Sequence, residues 1–271
     1  MNASPETSDT RYDRGLAVLD QVGGPNGRAV VNSLADIAPD LGRYVVEFGY
    51  GDIYSRPGLT LRQRQIINIA ALTALGTAAP QLRFHTDGAL TVGVTPAEVV
   101  ETIVHIGLYA GFPATLNGLT VARAAFADRP EAGSPLGDSE IRPEETTQQR
   151  YERGLVKLAE VDGDAADNIF ETLADIAPDL ARYLVEFAFA DVYSRRGLDL
   201  KTRELATVAA CTVMGNAAPQ LRVHLHGLLN VGGTREEAVE VITQMAGYGG
   251  FPAALNAITA AREVFAARGE R

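Results

Sequence analysis

The chain of 271 residues carries 34 acidic side chains against 24 Lys and Arg, a formal charge of −10 that disfavours a nucleic-acid backbone or an anionic membrane surface as partner. Apolar residues make up 46% and charged residues 21%, the balance of a globular chain with a full core. The single cysteine, Cys211, excludes an intrachain disulfide framework, a Cys-x-x-Cys redox pair and a cysteine-rich zinc site, and fits a reducing, cytoplasmic setting.

Residues 1–10 are polar, with neither the basic start nor the apolar stretch of a signal peptide, and are read as a disordered tail. From Arg11 the sequence repeats itself. RYDRGL at Arg11 returns as RYERGL at Arg150, LADIAPDL at Leu34 returns at Leu173, AAPQLR at Ala78 returns at Ala217, and GFPA at Gly111 returns at Gly250, always 139 positions on. A gap-free repeat of this length is a duplicated domain, so two copies, 11–127 and 150–267, are expected to share one fold. Residues 128–149 between them are rich in Pro, Gly and Glu and read as a surface linker.

Within each copy the periodicity is helical. Pro39 and Pro178 can each open a long central helix. In Leu61–Gly76 the residues Ile66, Ile69, Ala70 and Thr73 fall at three- and four-residue spacings, and Gly76 stands where a C-terminal cap belongs. Thr95-Pro96-Ala97-Glu98 is a helix start with a capping box, and Thr234 to Glu237 repeats it without the proline. The longest apolar stretch, around Ile66 to Leu75, is too short and interrupted to span a bilayer. Gly-Phe-Pro at 111 and 250 predicts a tight break before the last helix, with Phe112 and Phe251 filling the core. No segment alternates polar and apolar residues over a strand's length. The sequence predicts an all-α fold of six or seven helices per copy.

The polar residues retained in both copies are the candidates for chemistry. His85 and His224 each lie one helical turn after a glutamine, Gln81 or Gln220. The residue pattern alone leaves open a hydrogen-bonded core histidine or a catalytic one. The segments VVEFGYGDIYSRPGL and LVEFAFADVYSRRGL place Glu47, Asp52, Tyr54 and Arg56 opposite Glu186, Asp191, Tyr193 and Arg195. Glu47 and Arg56 suit surface ion pairs. Asp52, near a helix C-terminus where the dipole disfavours a carboxylate, needs a local partner. Arg64 and Arg203 open the next helix, equally ill placed for a cation, and call for a carboxylate or an anionic ligand. Tyr109 and Tyr248 could offer a hydroxyl to a pocket. His224 and His226 do not share a helix face, so no metal site is expected.

These motifs in order, G-D-I-Y-S-R-P-G-L, R-Q-R, L-R-F-H, G-A-L-x-x-G-V-T-x-x-E and Y-A-G-F-P-A, with their second-copy counterparts, resemble the signature of the carboxymuconolactone decarboxylase family in the AhpD-like superfamily. The resemblance covers about Asp52 to Ala114 and Asp191 to Ala253. It implies two tandem helical domains forming a pseudo-dimer, three chains completing a ring, and a cofactor-free loss of carbon dioxide from a small carboxylate or lactone. It further implies His85 and His224 as proton-transfer groups, Asp52 and Asp191 as acids that orient the imidazole, and Arg64 and Arg203 as anion clamps. Gln81, Gln220, Tyr54, Tyr193, Asp87 and His226 complete the expected substrate-binding set. The thiol peroxidases of the superfamily carry Cys-x-x-Cys before the histidine. Here Ala78 and Gln81, and Ala217 and Gln220, stand in those places, so peroxidase chemistry through that pair is impossible. The decarboxylases tend to have Arg where this chain has Asp87 and His226, which separates it from the carboxymuconolactone substrate. The copies also differ at Gln65 and Glu204, Leu72 and Cys211, and His105 and Gln244, so their sites are expected to be chemically unequal. Two other readings use the same residues: isomerisation, elimination or cyclisation through an enolate without carbon loss, and a non-catalytic small-molecule carrier or scaffold.

Overall fold

The computed structural model describes residues 10–137, 139–163 and 170–269, and among these there are helices and no strands. Of the ten residues read as a tail, 1–9 lie outside the described residues, while Thr10 caps the first helix by accepting from Asp13 N. Helix α1 (Arg11–Gly23) leads through a 3-10 turn (Gly24–Asn26) and the short α2 (Ala29–Asn32) to α3 (Pro39–Tyr44). Helix α3 runs directly into a π-helical stretch, Val45–Tyr54, followed by α4 (Leu61–Leu75), α5 (Ala79–Thr91) and α6 (Pro96–Asp128). The second half repeats the order. It comprises α7 (Thr147–Asp162), α8 (Pro178–Tyr183) with its π stretch Leu184–Tyr193, α9 (Leu200–Met214), α10 (Ala218–Asn230), α11 (Arg235–Met245) and α12 (Phe251–Ala267).

Local chemistry sets the helix ends. Thr60, Thr95, Thr146 and Thr234 each form a full capping box with the Gln or Glu three residues on. Gly76 and Gly215 close α4 and α9 in the left-handed conformation, φ 69° and 70°. Gly111 breaks α6 at φ 80°, and Gly250 separates α11 from α12 at φ 83°. Helix α6 is long and apolar enough by composition to cross a membrane, yet it is kinked, and Val99, Ile103 and Ile106 on its first half are core residues.

The RYxRGL motif is explained by close packing of α1 and α7 on the π stretches. A Cβ on Gly15 would lie 2.2 Å from the Val46 carbonyl oxygen, and one on Gly154 would lie 2.3 Å from that of Val185. The arginines of the motif then reach the ends of the π stretches. Arg14 Nε donates to Gly51 O at 2.9 Å and Arg11 Nε to Asp52 Oδ2 at 2.8 Å, so Asp52 has the local cation its place demands.

The two halves share one interior. Helices α4 and α9 lie against each other at the centre, where Ile67 and Ala71 pack with Leu205, Val208 and Ala209, and Ile66, Ile69 and Ala70 with Ala206 and Ala210. Alanines on both helices let them approach closely. The arrangement is a pseudo-dimer of two all-α domains in one chain. One core assignment fails: Phe112 and Phe251 are 65% and 59% exposed. The break at the preceding glycine turns each ring outward, onto Phe187 and Phe48 of the opposite half, with centroids 5.8 Å apart in both pairs.

Candidate functional site

Each half holds a histidine site completed by the other half. In the first, α5 carries His85 onto α4, and Gln65 Oε1 lies 2.9 Å from its Nδ1. An amide oxygen only accepts, so Nδ1 carries the proton and Nε2 accepts from the Tyr248 hydroxyl at 3.0 Å. Tyr248 comes from the C-terminal half. Asn68 Nδ2 donates to the same hydroxyl at 2.7 Å, and Asn68 Oδ1 accepts from Gln244 Nε2, again from the C-terminal half, at 2.7 Å. Gln244 Oε1 accepts from Arg64 Nη1 at 2.8 Å, and Arg64 Nη2 meets Glu240 Oε2 at 2.9 Å. Burial pushes the His85 pKa down to about 3, so the ring is neutral at ordinary pH. Its site opens to a cavity of about 430 Å³ whose lining includes Leu19, Val31, Phe48, Tyr54, Phe84 and His85.

The second site has the same frame and different chemistry. Glu204 replaces Gln65, and its Oε2 lies 2.9 Å from His224 Nδ1. Its other oxygen accepts from Tyr193 OH at 2.6 Å, and Tyr193 in turn is 2.7 Å from the hydroxyl of Tyr109, contributed by the N-terminal half. Burial is the largest influence on His224 and lowers its pKa, but the charge and hydrogen bond of Glu204, joined by the charge of Asp162, outweigh it, and the pKa stands raised. Asp162, at the end of α7, has no counterpart acid in the first half, where Gly23 takes its place. Burial lifts its carboxyl to about 6. Burial also holds Tyr109 and Tyr193 well above the ordinary tyrosine range, so they remain hydroxyl donors. Among the described residues, none bonds to Nε2 of His224.

The remaining expected site residues divide. Tyr54 and Tyr193, expected to bind substrate, are buried beside the histidines, Tyr54 within the Asn68 and Tyr248 cluster. Gln81 is exposed and lines the cavity, and Gln220 is exposed. Asp52 and Asp191 do not orient the imidazoles. They face outward to Arg11 and Arg14, and to Arg150 and Arg153, because the motif arginines on α1 and α7 claim them. Arg64 and Arg203 are not open anion clamps either. Both are fully buried and paired with a carboxylate of the opposite half, Glu240 and Glu101. Asp87 is tied to Arg83 at 2.8 Å on the outer face of α5. His226, two residues from His224, points to a different side and lies in the field of Arg268. Glu47 pairs with Arg43, whereas Arg56 and Arg195 reach across to Glu240 and Glu101.

Glycine permits that crossing. A Cβ on Gly58 or Gly197 would sit 2.4 or 2.2 Å from Cγ of Glu240 or Glu101. The acid that matters to His224 was visible in sequence only as a difference between the copies. Glu101, Glu240, Asn68 and Asp162 gave no signal of their own, since each acts through a neighbour far away in the chain. Among the described residues, no group of three or more His, Cys, Asp or Glu is arranged to hold a metal ion.

The fold and these paired sites define a duplicated all-helical chain with one composite histidine site per half. A model of the carboxymuconolactone decarboxylase family matches residues 39–124 and 178–263, more than half of the sequence, and the chain belongs to that family. It is 36% identical over 121 residues to the 4-carboxymuconolactone decarboxylase of Acinetobacter baylyi, spanning 44% of this chain and 90% of the relative. An uncharacterised 15.0 kDa protein of Paracoccus denitrificans is 40% identical over 96 residues, 35% of this chain and 72% of its own. The nitrosuccinic acid decarboxylase of Metarhizium robertsii is 29% identical over 126 residues, 45% of this chain and 85% of its own.

Proposed function

We propose that the chain is a cofactor-free decarboxylase or lactone-acting lyase for a small carboxylated, conjugated substrate, and that His224 transfers the proton. The single observation that carries this reading is the Glu204–His224 pair at 2.9 Å. The carboxylate favours the protonated ring, so His224 can present a positive charge to an anionic substrate and a proton at Nε2. Loss of carbon dioxide leaves the bonding pair of the broken C–C bond on the substrate, delocalised into its carbonyl system as an enolate. The imidazolium then protonates carbon and returns to the neutral form, with Glu204 fixing its tautomer. Tyr193 donates its hydroxyl proton to Glu204 and Tyr109 donates to Tyr193, so this chain of hydrogen bonds holds Glu204 in place.

Two relatives are named for decarboxylases of carboxylated substrates, which supports the reaction class. We assign the protein to the cytoplasm on its lone buried cysteine. A homotrimer of fused pairs is supported by an apolar surface repeated in both halves: Ile37 and Ile176, Leu41 and Leu180, Tyr44 and Tyr183, Leu116 and Leu255 are all exposed. The test is carbon dioxide release from 4-carboxymuconolactone, nitrosuccinate and related conjugated acids. Glu204→Gln and His224→Ala should each reduce turnover at least a hundredfold, with His85→Ala far milder. Turnover without carbon dioxide would move the assignment to an isomerase or eliminase. Undiminished turnover in His224→Ala would refute the role of the pair.

A further inference from the structure

The first-half cavity combines features that do not suit the reaction assigned to the second half. Its volume of about 430 Å³ is that of a small-molecule site. Among the described residues that line it there is no Lys, Arg, Asp or Glu; the walls are apolar and aromatic, with Gln81, Gln244, His85 and tyrosine hydroxyls as the polar points. His85 has an amide, Gln65, where His224 has a carboxylate, and its Nε2 already receives the Tyr248 proton. Arg64, whose guanidinium lies 5.9 Å from the ring centroid of Tyr54, is fully buried and spent on Glu240, Gln244 and the Arg56 carbonyl. A carboxylate entering here would lose its hydration and gain no charge partner. An uncharged ring would exchange only apolar surface and could still bond to the exposed Gln81 amide of the lining.

We infer that this cavity is a binding site for an uncharged, largely apolar ring compound bearing one hydroxyl or carbonyl, and that no proton transfer to carbon takes place in it. The two halves thus divide labour: one binds a neutral ligand and the other performs acid–base chemistry on an anion. The inference does not depend on which reaction the second half catalyses, because its readout is binding.

The test is titration of the full chain with 2-naphthol, followed by the fluorescence of the naphthol in a protein without tryptophan, alongside 2-naphthoate, the same ring system ionised at neutral pH. One naphthol should bind per chain, with naphthoate at least tenfold weaker. Gly49 lines the cavity and a Cβ there would meet nothing within 4 Å, so Gly49→Phe projects a ring into open space. It should weaken naphthol binding at least tenfold while leaving turnover in place. Val30→Phe, at an exposed lining position, carries the same expectation if Gly49→Phe does not fold. His224→Ala should leave naphthol binding unchanged. Naphthoate binding as tightly as naphthol, binding that survives filling of the cavity in a folded variant, or binding lost with His224 would each overturn the inference.

Discussion

Glu204 lies 2.9 Å from Nδ1 of His224, and Gln65 lies 2.9 Å from Nδ1 of His85, so one geometry serves two opposite electrostatic states. A carboxylate oxygen in place of an amide nitrogen, joined by the charge of Asp162 in the second half alone, separates a ring held neutral from a ring favoured as a cation. Titration of the imidazole resonances by NMR should show His85 neutral down to about pH 3 and His224 protonating above the usual histidine range. Gln65→Glu should raise the His85 value toward that of His224. Two histidines that titrate together in the unaltered protein would contradict this assignment.

The same asymmetry has a signature in stability. His85 binds a proton near its ordinary pKa when unfolded and refuses it in the folded state until about pH 3. The unfolded chain therefore binds more protons between those values, and stability is lost as pH falls through that window, on the order of several kcal/mol. Asp162 runs the other way. Its carboxyl, held at about 6, keeps its proton in the fold, and its contribution is lost as pH rises from the ordinary carboxyl value of 3.8 through 6. Urea midpoints measured at pH 7, 5 and 4 should fall less steeply on acidification in His85→Gln than in the parent.

Glu240 and Glu101 each neutralise a buried arginine of the opposite half. Glu240→Ala leaves Arg64 charged, buried and without its carboxylate, and should cost about 3–5 kcal/mol in denaturant unfolding. Gly58→Ala should fail by a related route, pushing the same carboxylate off its seat, although it removes no polar atom. A change below about 1 kcal/mol in either variant would show that the crossing pair is ornamental.

The two halves are not equally satisfied. Gln244 bonds Arg64 Nη1, but His105 holds the matching position and bonds Thr207 instead, and among the described residues Arg203 Nη1 and His105 Nδ1 are both left without a partner. His105→Gln should restore the missing bond and raise stability by about 1–2 kcal/mol, read as a shift in thermal midpoint. An unchanged or lowered midpoint would mean that the vacated polar atoms are met some other way.

Much of the fold was legible because it rests on local chemistry. Thr95-Pro96 and Gly76 mark helix ends through bonds made within a few residues, and the repeat shows itself without any structural knowledge. The π-helical stretches were not legible, since Val45–Tyr54 has the composition of an ordinary apolar helix. Phe112 misled because a large ring after a helix break usually turns inward, and here it meets Phe187 across the surface. The structure brings His85, His224, Tyr54 and Tyr193 together. The residue pattern asked for a partner to Asp52 and for a carboxylate or anion at Arg64, but it could not name either partner, and the roles implied by the family resemblance left both groups open. Their partners, Arg11 and Glu240, are 41 and 176 positions distant, and pairing over such distances leaves no periodic trace.

The exchange of Tyr248, Gln244 and Glu240 for Tyr109, His105 and Glu101 makes each half a tenant of the other. Inheritance by duplication normally frees one copy to drift while its twin keeps the original task. Here that freedom is curtailed, because a change near Tyr248 is felt at His85 and a change near Tyr109 at His224. Gln65 and Glu204, which touch groups of their own half, have diverged freely, while divergence at the exchanged positions His105 and Gln244 leaves Arg203 short of a partner. Cutting the chain within 133–145 should accordingly yield fragments that regain neither site alone and both on mixing.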